Sequence, residues 1–409
     1  MNPFVKKAFS ALLLCTAFSG LHAKIGTWTD KASLSVSRSN HVAFSIADKG
    51  YICAGADAGS NILKDLWQYD PATNTWAQKA DMPGAGRLDA SGFAVGAYGY
   101  VGLGWHTGTR ECFYSFNRYN PANNSWTAIS DCPVKRYTAG GFAIGNLGYI
   151  TCGLYPGGPR YKDLWSYNPA TDTWTEKASL PSGALDRAFP CVVSNGSKAY
   201  LMGGYDGSTI ANDFHEYDPV SDQWTSKATY PYGARSYATG FALGRYIVIG
   251  MGRSSRNQDE KDWHYYDPSN NTWYAAEDHP DSNTVGCASF AIGGKGYVCG
   301  GWSVRSGAVM GKVTEFSAPS LSIGEKPIAS ASALNAWFAA GSHTLHCAYI
   351  AGDFDIQICD MNGKQVYATE FRSAHSEQLA LNLSHLNSGV YVAQIRHAGL
   401  YASLKLIVD

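Results

Sequence analysis

The stretch D-L-W-Q-Y-D-P-A-T-N-T-W, Asp65 to Trp76, constrains this chain more than any other because it recurs. Copies end at Trp126, Trp174, Trp224 and Trp273, so successive tryptophans stand 50, 48, 50 and 49 residues apart. A fixed period near fifty marks an array of like units, each packed on its neighbours. The run up to Tyr69 is aromatic and alternating, which suits a strand. Asp70-Pro71 starts a turn: proline presets φ, and the aspartate side chain can accept from the backbone just beyond it. Asn74 tolerates the left-handed backbone a tight turn needs. Trp76 opens the next strand with a large apolar body. Upstream of each unit lies a second signal: G-Y-I-C-A-G from Gly50, G-Y-V-G-L-G from Gly99, G-Y-I-T-C-G from Gly148, A-Y-L-M-G-G from Ala199, R-Y-I-V-I-G from Arg245 and G-Y-V-C-G-G from Gly296. Its glycines end a strand where backbones crowd. Each period therefore holds four short strands.

This order of features resembles the kelch repeat. The matching residues are an arginine before the first strand, the small pair after the second (Gly203-Gly204, Gly300-Gly301), the Tyr-Asp or Tyr-Asn, and the tryptophan. The resemblance covers residues 27–319 and implies a β-propeller with one four-stranded blade per repeat. Six blades are expected. The sixth runs through Gly296-Tyr297 to Phe316 and stops without its tryptophan. At the other end, W-T-D-K-A-S-L from Trp28 copies W-T-E-K-A-S-L from Trp174. An orphan last strand at the N-terminus and a missing one at the C-terminus fit closure of the ring, which removes two open edges.

The segments flanking the array read differently. In residues 1–23, Lys6 and Lys7 precede an apolar run from Ala8 to Phe18 and then small residues, the pattern of a secretory signal peptide cleaved after Ala23 or Ser19. The propeller is expected over residues 24–319. Residues 320–334, rich in Ser and Ala, read as a linker. Residues 335–409 form a second, small β-sandwich-like domain with an Asn-Gly hairpin at Asn362-Gly363. The signatures D-M-N-G-K-Q-V-Y, L-N-S-G-V-Y-V-A-Q-I and the terminal K-L-I-V-D resemble the C-terminal sorting domain of the type IX secretion system of Bacteroidetes. That resemblance implies passage across the outer membrane with the secretion machinery as partner, and a secreted or cell-surface location. The fold class expected is all-β throughout.

Composition narrows the function. Formal net charge is −1, which argues against a nucleic-acid binder. No other apolar stretch reaches the roughly 18 residues of a membrane span. Without Cys15 nine cysteines remain, and Cys53 and Cys299 share a repeat position, which fits buried thiols better than a disulfide framework. There is no G-x-S-x-G, H-E-x-x-H, C-x-x-C or phosphate-binding glycine loop. His215 and His264 share a strand position that is Gln68, Asn117 or Ser166 elsewhere, so a metal role is not expected. Asp206 has no partner carboxylate for glycosidase chemistry. Neither a cofactor nor a catalytic set is expected.

Arginine stands out instead. Arg38, Arg87, Arg136, Arg187 and Arg235 each lie six residues before the same apolar position; blade six has Thr284 there. The kelch resemblance places them around one mouth of the channel, beside Tyr137, Phe189 and Tyr237, with Trp105, His106, Tyr155, Tyr205 and Trp302 on nearby loops. Two readings stand side by side. The arginines ring a ligand, or they hydrogen-bond loop backbone and hold blades together. The first implies a surface module binding an acidic glycan or protein through Arg38, Arg87, Arg136, Arg187, Arg235, Tyr137, Tyr237, Trp105, Tyr205 and Trp302. The alternative is an enzyme on an anionic sugar, like the six-bladed kelch mutarotase that acts on sialic acid; a purely structural module is the third.

Overall fold

The computed structural model describes residues 24–281, 284–303, 305–318, 321, 335–339, 344–360, 364–397 and 400–408. The signal peptide, most of the linker and Asn362-Gly363 lie outside the described residues.

Six four-stranded antiparallel sheets follow one another along the chain. Blade one comprises Val42–Ile46, Lys49–Cys53, Leu66–Asp70 and Thr75–Lys79. Blades two to five repeat this order, starting at Ser91, Gly140, Cys191 and Thr239. Blade six comprises Ala288–Ile292, Lys295–Cys299 and Val313–Ser317, and Thr27–Lys31 from the other end of the array supplies its outer strand. Trp28 pairs with Phe316 and Lys31 with Val313, the register expected for ring closure. The inner strands of neighbouring blades touch in sequence around the ring, the sixth against the first.

The repeated residues form a clasp between blades. The Tyr69 hydroxyl donates to Asn74 Oδ1, and Asn74, at φ 53°, holds the turn. The same Oδ1 accepts from the backbone N–H of Ala32 at 2.9 Å, and Trp76 Nε1 donates to the Ala32 carbonyl at 2.8 Å. Asn124, Asp172, Asp222 and Asn271 repeat this with Trp126, Trp174, Trp224 and Trp273. Tyrosine, asparagine and tryptophan recur together because each binds one atom of the same interblade contact.

Glycine has a similar reason. A Cβ on Gly50, Gly99, Gly148 or Gly296 would collide with the ring of Phe290, Phe44, Phe93 or Phe241 from the preceding blade. Blade five departs: its register sets Ile247, not a glycine, in this place and Val248 where the other blades have tyrosine. The R-Y-I-V-I-G match is thus shifted by two residues. The preceding blade has Val193 in place of phenylalanine, and Val193 and Ile247 pack in one cluster, so a smaller knob meets a filled socket.

The C-terminal region is a five-stranded antiparallel sheet. Thr344–Asp360 pairs with Gln365–Asn382 along most of its length, and with Asn335–Ala339 and Gly389–His397 in turn. Leu400–Val408 pairs with Gly389–His397 at the edge.

Candidate functional site

One end of the channel is built from the loops that precede each inner strand. Asn40, Asp89, Thr138, Phe189, Tyr237 and Gly286 occupy the same place in the six blades, two residues beyond the five recurring arginines and Thr284, and all have φ between 51° and 66°. Their backbones are linked in series: Asp89 N–H donates to Asn40 O, Thr138 to Asp89, Phe189 to Thr138, Tyr237 to Phe189, and Asn40 to Gly286. This chain of amides runs through all six blades. It holds bulky Phe189 and Tyr237 in a backbone region they rarely adopt, which persists only where surrounding structure enforces it.

The five arginines expected to face a ligand do not line the opening. Arg38, Arg87, Arg136, Arg187 and Arg235 are 0, 2, 0, 0 and 3% exposed. Arg38 forms a bidentate pair with Asp65 at 2.7 and 2.7 Å, Arg136 with Asp163 at 2.6 and 2.7 Å, and Arg187 with Asp213 at 2.6 and 2.8 Å. Arg235 meets both oxygens of Asp262 at 2.9 Å. Four of the five also donate to the carbonyl sixteen residues on: Ala54, Leu103, Cys152 and Gly203. Burial raises the Asp65 and Asp213 carboxyls, but hydrogen bonds and charge from the arginines outweigh it and hold both below the usual range. The arginines are therefore struts, because a carboxylate immediately before each third strand takes the guanidinium. The signal was present in the repeating unit itself, which begins at Asp65.

Arg87 is the exception. Ser115 stands where the carboxylate would be, contacts are 3.2 to 3.3 Å, and Phe113 lies 4.3 Å beneath the guanidinium. Burial lowers its pKa to about 10.

Aromatic side chains do gather at the mouth. Trp105, Tyr205 and Trp302 share one loop position, each bridged to the segment after the strut position at Leu88, Ala188 and Val285. Trp105 stacks on Tyr137 at 5.9 Å, and Phe189 on Tyr237 at 3.8 Å. Two cations that the sequence reading passed over lie among them. Arg160 sits 5.6 Å over Tyr205, and Arg253, at the loop position of Trp105, lies 5.8 Å over Trp302. Among the described residues Arg160 makes no ion pair within 4.0 Å, although its charge helps to lower the Asp206 carboxyl, and its buried Nε has no hydrogen-bond partner. Arg253 bonds Asp259 at 3.2 Å, leaving its Nη2 without a partner. Both arginines fall outside the repeat's arginine register, which is why periodicity did not reveal them.

Asp89 is the acid of the ring. It is half-buried, accepts from Asn40 Nδ2 at 2.6 Å, and burial pushes its carboxyl up to about 7 against that hydrogen bond. Its charge adds to burial in raising the phenols of Tyr137 and Tyr237. Asp206 is spent on its own loop, accepting from the N–H groups of Ser208 and Thr209. His215 contacts Asp213, and His264 meets Tyr230 at 2.7 Å. Among the described residues no group of three metal-ligating side chains occurs, and the eight cysteines whose side chains are described are free thiols. The inner strands line an open cavity of about 380 Å³, with small residues such as Ala43, Gly92, Ala143 and Ser289 on its wall.

Comparison with known proteins agrees with this architecture. Residues 130–301 match the KLHDC2/KLHL20/DRC7 Kelch-repeats domain, residues 37–83 the Kelch motif, and residues 341–409 the Secretion system C-terminal sorting domain. Kelch-like protein 35 of Mus musculus is 26% identical over 188 residues, 44% of this chain and 30% of that protein. Kelch-like protein 25 of Xenopus tropicalis is 28% identical over 162 residues, 40% of this chain and 27% of that protein. The chain thus spans less than a third of the length of these relatives. The solved structure of YjhT superposes with a TM-score of 0.61 at 16% identity, covering 69% of this chain and 95% of that one, a likeness of fold. The chain carries a kelch repeat domain, built as a propeller, followed by a C-terminal sorting domain of the type IX secretion system, which implies delivery by that machinery to the cell surface or beyond.

Proposed function

We propose that the protein is a surface or secreted binding module whose channel mouth takes an acidic glycan or an acidic protein segment. The observation that carries this is the placement of Arg160, without an ion pair within 4.0 Å among the described residues, and Arg253 against the aromatic belt of Trp105, Tyr137, Tyr205 and Trp302. Aromatic faces suit sugar rings or peptide side chains, and guanidinium forks suit carboxylate and sulfate. The signal peptide read in residues 1–23 fits the same route of export. The test is an array of acidic and neutral glycans and peptides probed with the full chain. Binding that weakens with salt, and disappears in Arg160→Ala with Trp105→Ala while the melting temperature holds, supports the reading. Equal retention of neutral and acidic probes sinks it.

A second reading, an enzyme on an anionic sugar, is favoured by Asp89. A carboxyl near neutral pKa at the mouth is suited to proton transfer. Turnover of such a sugar that is lost in Asp89→Asn distinguishes it from binding alone.

A further inference from the structure

Blade six lacks its strut, and the space is open. Thr284 stands at the arginine position and Lys312 at the position of Asp65, Asp163, Asp213 and Asp262. Where five blades hold a guanidinium, the sixth has a cavity of about 370 Å³ lined by Thr284, Lys312, His279, Asp281, Met310 and Gly300 among others. Gly300 is sixteen residues beyond Thr284, so its carbonyl is the counterpart of the Ala54, Leu103, Cys152 and Gly203 carbonyls that accept from arginine. Here it receives the Cys287 thiol at 3.2 Å, a weak donor. Met310 holds the place of Phe113 and Tyr161, which lie under Arg87 and Arg136 at 4.3 and 4.5 Å.

The charge also favours a cation. Lys312 Nζ reaches Asp281 at 2.9 Å and Asp30 at 3.1 Å, so two carboxylates face one ammonium. The His279 ring meets Thr314 Oγ1 at 2.8 Å, and burial lowers its pKa, leaving it neutral at pH 7. Blade two shows that a guanidinium occupies this slot without a carboxylate on the third strand, since Arg87 has only Ser115 there.

We propose that the blade-six slot is a binding site for an alkylguanidinium, either a free small molecule or the arginine side chain of a peptide, with Gly300 O as acceptor, Asp281 as counter-charge and Met310 as the face beneath. This site is separate from the channel mouth. The test is a thermal shift and calorimetric titration of the full chain with n-butylguanidinium, n-pentylammonium and a capped Gly-Arg-Gly peptide. A site-bound cation at tenfold excess over its Kd raises Tm by roughly 3 °C. Butylguanidinium is expected to give such a shift and pentylammonium less than about a third of it, because a single ammonium cannot reproduce the planar fork. A shift with the peptide as well assigns the arginine of a polypeptide as the source; a shift with the small molecule alone assigns a free metabolite. Thr284→Arg with Lys312→Asp rebuilds the strut of blade one and is expected to raise Tm and abolish the shift. Asp281→Asn is expected to weaken binding about tenfold with the fold intact. No shift, an equal shift with pentylammonium, a shift that survives in the rebuilt strut, or a shift undiminished in Asp281→Asn overturns the proposal. Mouth variants at Arg160 and Trp105 leave the shift unchanged, so failure here is distinct from failure of the mouth to bind.

Discussion

Replacing Arg136 with alanine separates a strut from a ligand contact. The guanidinium is fully buried, pairs with Asp163 through two hydrogen bonds, donates to the Cys152 carbonyl at 2.8 Å and lies 4.5 Å over Tyr161. Alanine leaves a carboxylate that is 18% exposed facing a cavity, and a buried carbonyl without that donor. Removing one partner of a buried pair costs about 3–5 kcal/mol. For a domain of this size each kcal/mol moves Tm by roughly 2–4 °C. Asp163 keeps some contact with water, so the lower half of that range applies and a fall of about 10 °C is expected. Calorimetry on the full chain reads it directly. A double-mutant cycle with Asp163→Leu isolates the pair, because two apolar residues remove the stranded charge; the double variant should recover at least about 1.5 kcal/mol over the sum of the singles. Melting of Arg136→Ala within about 1 °C of the parent, or additive singles, would refute the strut.

Four further outcomes are expected. A chain starting at Val36 lacks Thr27–Lys31, exposes Val313–Ser317 as an edge, and should melt more than about 10 °C lower by calorimetry; unchanged melting contradicts ring closure. Gly99→Ala drives a Cβ into the Phe44 ring and should cost about 1–3 kcal/mol in denaturant melts, with Phe44→Val restoring most of it as Val193 does beside Ile247. Ser115→Asp supplies Arg87 with the carboxylate its counterparts have, and should raise Tm by a few degrees, roughly the effect of a charge-assisted bond. Burial, then the charges of Arg38 and Arg235, lower His41 and His264 to about 3, and burial lowers His279 as well. Their contribution is complete above the unfolded value near 6.5 and is lost as pH falls, whereas Asp89, raised to about 7, contributes below about 4 and loses it as pH rises. The three imidazoles outweigh Asp89 and the Asp262 carboxyl, which burial also raises, so Tm falls from pH 6.5 to 4.5 and Asp89→Asn should steepen that fall; a flat profile contradicts the buried neutral imidazoles.

The blades were legible because their defining residues are spaced by the covalent chain. Tyr69, Asn74 and Trp76 meet within one hairpin, and the orphan strand from Trp28 could be matched by letter to Trp174. The struts were harder. Arginine recurrence was visible, but its meaning depended on a carboxylate 26 or 27 residues away, so the direction of each guanidinium was a tertiary fact. Blade five was misaligned by two residues because Tyr246 imitates the tyrosine of the other copies, whereas packing against Val193 decides the register. Arg160 and Arg253 gave no periodic signal at all, since each belongs to a loop that varies between blades.

These features divide the cations of the propeller by what already holds them. A guanidinium facing a carboxylate 2.6 to 2.9 Å away has its charge met inside the blade, and its removal acts first on stability. Arg160 has no such partner among the described residues, so under the proposed function its removal is expected to act on binding before stability. Repeat position alone points to the wrong set, because the arginines that recur are those the fold consumes. In a propeller of this kind the ligand-facing residues are to be sought where the repeats disagree: Trp105, Tyr205, Arg253 and Trp302 occupy one loop position that in blades one and three is Ala56 and Leu154. Variation at a fixed position on a uniform scaffold gives the mouth an asymmetric surface, and an asymmetric surface can orient a ligand that six equal blades could not.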